Sequence, residues 1–140
     1  MVPSEAFNGS YKRNPLNFVN ANVSTVHFTM DNKSIPGSAL KPNYDTGMYT
    51  DCFISMLTTC GKYGVDGGNT IQYSHYPGGY TIYGIDIDNA VNSNYLALPK
   101  SANCRLSIQF REALSESVNL IVYAKYPACI KVNSVCGVTV

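Results

Sequence analysis

The sequence predicts an all-β domain, an antiparallel β-sandwich with one inserted short helix, and three observations point there. Two runs, 103–111 and 118–126, alternate apolar and polar residues, and a period of two puts every apolar side chain on one face of a strand. A third run, 23–30, does the same. One stretch, 46–61, instead spaces its apolar residues by three and four, the signature of an amphipathic helix.

Taken in order, residues 1–22 read as irregular, rich in Asn and interrupted by Pro3 and Pro15. Residues 23–30 form a strand with Val26, Phe28 and Met30 on one face. Asp31-Asn32-Lys33 is a turn, and Ser34-Ile35-Pro36 begins a return strand that Pro36 confines to an edge or ends. Residues 37–45 are a loop. In the helix, Thr46 is the expected cap, and Tyr49, Cys52, Phe53, Met56, Leu57 and Cys60 form the apolar stripe. Gly61 stands where a C′ glycine belongs.

A glycine-rich loop follows over 61–79, with a short extended piece at Thr70–Tyr73. Tyr80–Asp88 reads as a strand, with Tyr83, Ile85 and Ile87 opposite Asp86 and Asp88. Residues 89–102 are a loop. Cys104, Leu106, Ile108 and Phe110 then share one face, as do Val118, Leu120, Val122, Ala124 and Tyr126. The short link 112–117 predicts that these two runs pair as a hairpin. Cys129–Val132 is a further short strand.

Five or six strands are fewer than the eight of a closed jelly roll. The prediction is therefore a sandwich of jelly-roll type with an incomplete strand set, one domain over 1–140. Its expected core is Val26, Phe28, Met30, Phe53, Leu57, Ile85, Ile87, Leu106, Ile108, Phe110, Leu120 and Val122.

Charged residues make up 14% of the chain and the formal net charge is +1. That balance, with basic residues scattered singly apart from the adjacent Lys12-Arg13, argues against a nucleic-acid partner. No apolar run reaches the length of a membrane span, and the first ten residues lack the apolar segment of a signal peptide. Five cysteines, at 52, 60, 104, 129 and 136, form no C-x-x-C pair and read as reduced thiols filling the core. The sequons at Asn8, Asn22 and Asn32 read as coincidences of an Asn-rich chain. Eleven tyrosines stand against no tryptophan, a composition that suits strands and protein–protein surfaces.

Chemistry-bearing patterns are sparse. Cys60 and His75 are the nearest thiol–imidazole pair, but Cys60 falls on the helix stripe and reads as core, and His27 reads as a strand-surface residue. No Cys or His spacing suits a metal. Asp86-Ile87-Asp88 lacks the further acid and the glycine of a calcium loop. The glycines after the helix lack the Gly-Lys-Ser/Thr of a phosphate loop. The expectation is a non-enzyme without cofactor or metal.

Several blocks resemble one family. Ala6-Phe-Asn-Gly-Ser-Tyr-Lys-Arg-Asn-Pro-Leu-Asn-Phe18 is similar to the "A-[FY]-N-G-x-x-x-x-N-P-[FL]-N-F" block of the hexon-like major capsid proteins of Polinton/Maverick elements and adintoviruses. Residues 76–87 look like that family's "Y-x-x-G-Y-x-[LI]-[FY]-x-[FI]-D-[LI]" strand, and 103–110 with 118–124 look like its closing hairpin. The resemblance implies a virion structural protein, corresponding to most of the second jelly roll of a double-jelly-roll subunit whose trimer forms a capsomer. It implies copies of itself or related capsid subunits as partners, and a virion or intracellular assembly site as location. Family members carry a long region before the Ala-Phe-Asn-Gly block. Here Met1 stands five residues before it, which matches the missing strands and predicts either a truncated copy or a chain that completes itself by pairing with another subunit. The lack of any replacement strand in the sequence favours the truncated copy.

The expected contact residues are Tyr11 and Phe18 in the first block and Tyr73, Tyr76 and Tyr80 in the tyrosine-rich loop. The runner-up reading is a carbohydrate-type binding β-sandwich with Tyr76, Tyr80 and Tyr83 as stacking platforms. A carboxylate-dependent sandwich enzyme comes third.

Overall fold

The computed structural model describes residues 1–64, 66, 69–87, 101–125, 131–132 and 138–139. Its elements run β1 (Val2–Pro3), α1 (Ser4–Phe7), β2 (Phe18–Val19), β3 (Val23–Met30), β4 (Lys33–Leu40), α2 (Thr50–Thr59), a 3-10 turn (Tyr73–His75), β5 (Gly78–Gly79), β6 (Cys104–Phe110), β7 (Val118–Asn119), β8 (Lys131–Val132) and β9 (Val138–Thr139). Every strand pair formed between these elements is antiparallel. The molecule is thus β-rich with few helices.

The largest sheet has the order β4-β3-β6. Its hairpin turns on Asp31 and Asn32, whose φ angles of 50° and 63° are the left-handed pair of a two-residue hairpin turn. Met30 and Lys33 close it. Pro36 lies on the edge strand β4, where a missing N–H is harmless. The ladder skips after Ile35 and resumes at Leu40, so the strand extends beyond the expected boundary. On the other side, Val26, Phe28 and Met30 stand opposite Ile108, Leu106 and Cys104. One face of the sheet is therefore apolar, as the alternation requires.

Helix α2 buries Cys52 and Met56, with Phe53 and Leu57 packed at the margin. Tyr49, not Thr46, occupies the N-cap position. The reason is a closed turn just upstream, where Asn43 and Met48 exchange two backbone bonds of 2.8 Å. At the C-terminus Gly61 (φ 65°) donates to the Thr58 carbonyl at 2.9 Å, and Lys62 donates to that of Leu57 at 2.8 Å. This is a Schellman motif, and the expected glycine stop is present.

Further expectations are corrected. The runs 103–111 and 118–126 do not pair with each other: β6 pairs with β3, and β7 pairs with β1. Alternation fixes which face a residue occupies but not which strand it joins. Residues 1–22, read as irregular, supply that partner as Val2–Pro3. The expected strand Tyr80–Asp88 is not formed among the described residues: Tyr80 makes an isolated bridge to Phe18, 81–87 join no ladder, and Asp88 lies outside the described residues. Ser55 Oγ on α2 instead bonds the Gly84 carbonyl. Cys60 and Cys104 are exposed, and Cys52 is the buried thiol. Cys60 caps the helix one position past its last turn, where the stripe no longer faces inward. Cys129 and Cys136 lie outside the described residues.

The core joins Met1, Val23, Val26, Leu40, Tyr49, Cys52, Met56 and Tyr76. From the expected list, Val26 is buried, whereas Ile87, Leu106, Leu120 and Val122 are exposed. The remaining seven are half-buried.

Gly84 lies close against α2. A Cβ there would lie 2.6 Å from the Ser55 carbonyl oxygen and 2.8 Å from Thr59 Cβ. Backbone cannot yield cheaply, so Gly84→Ala is expected to destabilise the fold by about 1–3 kcal/mol. A urea unfolding midpoint indistinguishable from the parent would refute this packing.

Candidate functional site

Two sequence blocks singled out as contact regions do meet. Phe18 and Val19 pair with Gly79 and Gly78, the Thr81 N–H donates to the Phe18 carbonyl at 3.1 Å, and Asn20 Nδ2 donates to the Pro77 carbonyl at 3.1 Å. The 11–18 block and the 73–80 loop therefore form one continuous region.

Behind that loop stands a tyrosine cluster. Tyr49 stacks on Tyr73 at 4.5 Å, on Tyr44 at 5.7 Å and on Tyr76 at 5.8 Å between ring centres. Phe53 meets Tyr73 and Tyr76 edge-on, at 5.4 and 5.6 Å. Both geometries are favourable for the aromatic quadrupole. The phenol oxygens have partners as well: Tyr76 donates to the Ile82 carbonyl at 2.8 Å, Tyr73 to that of Gly47 at 2.9 Å, and the Tyr44 and Tyr83 hydroxyls share a bond of 2.7 Å.

The electrostatics follow from burial. Desolvation of the phenolate, first of the causes in each case, pushes Tyr44, Tyr76 and Tyr83 well above the ordinary phenol range. The Cys52 thiol is pushed up to about 12, by burial and then by the nearby Asp51 carboxylate. A nucleophilic cysteine needs the opposite shift, so Cys52 stays an unreactive thiol at neutral pH. No hydrogen bond joins Cys60 to His75 among the described residues. His27 Nε2 instead lies 2.9 Å from Ser34 Oγ across the sheet. Among the described residues, no three His, Cys, Asp or Glu side chains converge as metal ligands.

A second constellation ties the amino-terminal block down. Arg13 Nη1 meets Glu116 Oε2 at 2.6 Å and Arg13 Nε meets Glu5 Oε2 at 3.3 Å. The Ser4 N–H donates to the Ser117 carbonyl at 2.9 Å, and Ser4 Oγ to Asn119 Oδ1 at 3.2 Å. These exposed ion pairs contribute little energy by themselves, but they fix where the 116–119 segment lies. A shallow cleft beside them, of about 330 Å³, is lined by Arg13, Glu116, Asn17 and Val19 among others. Its arginine and glutamate face each other, so the pair is already satisfied without a ligand.

The expected contact residues divide. Tyr11, Tyr73 and Tyr80 are exposed, Tyr73 while stacked on Tyr49, and Phe18 is half-buried in β2. Tyr76 is 0% exposed; its side chain serves the interior and cannot touch a neighbour. The stacking platform of a carbohydrate module also loses Tyr76 to the core and half of Tyr83, whose hydroxyl is engaged by Tyr44. Tyr80 alone of the three stands open.

The sequence reading missed an open surface. Leu120, Ile121, Val122 and Tyr123 are 48, 51, 67 and 87% exposed, a run of four apolar residues taken as half core. The available signal was Ile121 and Tyr123: with Leu120 and Val122 they make both faces of the segment apolar, which a strand covered on one side does not need.

No helix among the described residues is long and apolar enough to cross a membrane. No family model matches the chain, and no solved structure matches it. An uncharacterized protein of Caenorhabditis elegans is 26% identical over 130 residues, which is 90% of this chain and 31% of that protein. The chain thus spans about a third of the relative it is similar to.

Proposed function

We propose that this chain is a structural subunit of a protein shell, a jelly-roll unit resembling the C-terminal half of the hexon-like major capsid proteins. It works by shape, through contacts with copies of itself or related capsid subunits, in a virion or at its assembly site. One observation carries this reading. The apolar face of the β4-β3-β6 sheet is sealed at one end, where Val26 and Leu40 are 3 and 9% exposed, and open at the other, where Leu106 is 37% exposed and Cys104 is exposed. Apolar surface left uncovered in this way marks an association site. Tyr11 and Tyr80, both exposed, add the aromatic character enriched at such interfaces.

Light scattering and electron microscopy of the purified full chain test the proposal. Discrete oligomers, three-fold by the resemblance, or closed shells are expected. A monomer at every concentration that binds a defined glycan, with binding lost in Tyr80→Ala, would favour the carbohydrate module instead.

A further inference from the structure

We propose that copies of this chain join by strand donation: the segment Leu120–Lys125 of one copy adds to the open edge of β6 in the next. The inference deepens the shell-subunit reading and rests on it for the identity of the partner.

The two edges of the β4-β3-β6 sheet differ. On the β4 side Lys33 and Lys41 flank the strand, Pro36 interrupts it, and the register skips between Ile35 and Leu40. Lysine, proline and a bulge are the devices by which proteins keep an edge from pairing. On the β6 side, Arg105 to Phe110 contain neither proline nor lysine, and Cys104–Ser107 are exposed. From Met30↔Cys104 to Thr25↔Gln109 the β3 ladder is unbroken, so the strand presents a straight row of backbone groups. Among the described strands, nothing pairs with that side.

The donor stands in the same chain. Residues 120–125 are exposed and extend from β7, and they join no ladder among the described residues. In sequence, apolar residues occupy both alternating sets of positions over 120–124, the pattern of a strand buried within a sheet.

Pairing within one chain is blocked. The link between the two runs is anchored to different sheets: the Arg111 N–H donates to the Asn22 carbonyl at 2.9 Å beside β3, whereas Ser117 and Val118 are held on Ser4 and Pro3. Arg13 on Glu116 adds a further tether. A hairpin of β6 with 120–125 would require all of these to break. Among the described residues, an edge without a strand and a segment without an edge satisfy each other in a second copy. Because donor and acceptor are different patches, the contact is heterologous, and such contacts give rings where the rotation between copies closes and open filaments where it does not.

Sedimentation of the full chain across concentration, with amide hydrogen exchange on the associated form, tests this. Val122→Asp changes a side chain that is 67% exposed, so circular dichroism of the variant should match the parent. Its association is expected to weaken by at least about tenfold, since a charge must then be buried against a sheet edge. Outward-facing amides of β6 should exchange about tenfold more slowly in the oligomer than in the monomer. Oligomers that leave β6 unprotected, or that Val122→Asp does not weaken, overturn strand donation and leave the shell-subunit reading standing. A monomer at every concentration overturns both.

Discussion

Tyr76→Ala is expected to remove about 3–5 kcal/mol of stability, the range for deleting a large aromatic side chain from a packed core. Tyr76 is the largest of the fully buried side chains. Its ring is shared between Tyr49 and Phe53, and its hydroxyl satisfies the Ile82 carbonyl. Its own carbonyl accepts from Thr81 Oγ1 at 3.0 Å. A domain of this size has a total stability of about 5–15 kcal/mol, so the loss would remove a large share of it. Tyr76→Phe separates the ring from the hydroxyl. It keeps the packing and orphans one carbonyl, at a cost of about 1 kcal/mol. Urea unfolding of the two variants should thus show a large and a small shift in midpoint. Equal small shifts would mean that the ring is not what holds the 73–83 segment to α2.

The same cluster sets the alkaline limit of the fold. Tyr76 and Cys52 have folded-state pKa values above those of the unfolded chain, because burial disfavours the phenolate and the thiolate. For a raised value the stabilising contribution is complete below the unfolded pKa and is lost as pH rises through the folded one. Unfolded thiols and phenols titrate near about 8.5 and 10 respectively. The loss therefore begins above about pH 8.5 with Cys52, whose share is complete by about pH 12, and steepens above about pH 10 with Tyr76. Each group contributes about 1.4 kcal/mol per pH unit while it is protonated in the fold and ionised outside it. Together the two remove about 3 kcal/mol per unit above pH ~10, and Tyr44 and Tyr83 steepen the fall. The expected result is a cooperative alkaline transition in which the ultraviolet signal of tyrosinate appears together with loss of β-structure by circular dichroism. Smooth ionisation of every tyrosine near pH 10, with the β signal retained, would contradict a sealed cluster.

What could be read directly from the sequence was local. The period of two in 23–30, the Asp-Asn turn, Pro36 at an edge, the α2 stripe and the Gly61 stop each depend on residues within a few positions. Pairing was not legible. The link 112–117 is short, close to hairpin length, yet Val2 and Pro3 compete for Val118 and Asn119, and nothing in the alternation announces that competitor. The 80–88 run looked like a strand because its apolar residues alternate; Gly84 instead sends its carbonyl to Ser55 on a helix, an acceptor that periodicity does not register. The same blindness affects the contact residues. Tyr76 and Tyr80 are indistinguishable as letters in one loop. Only the meeting of α2 with that loop sends one ring inward and leaves the other outside.

The turn at Asp31 has a kinetic corollary. β3 and β4 are neighbours in sequence, so chain entropy opposes their closure only weakly. β6 arrives from far along the chain: the N–H of Asn103, the residue just before it, donates to the Asp31 carboxylate across 72 positions. Closing a long loop has a high entropic barrier before any contact rewards it. The hairpin is thus a template that waits for its third strand, and the rate at which this sheet completes is governed by the search of a distant segment for a carboxylate already in place.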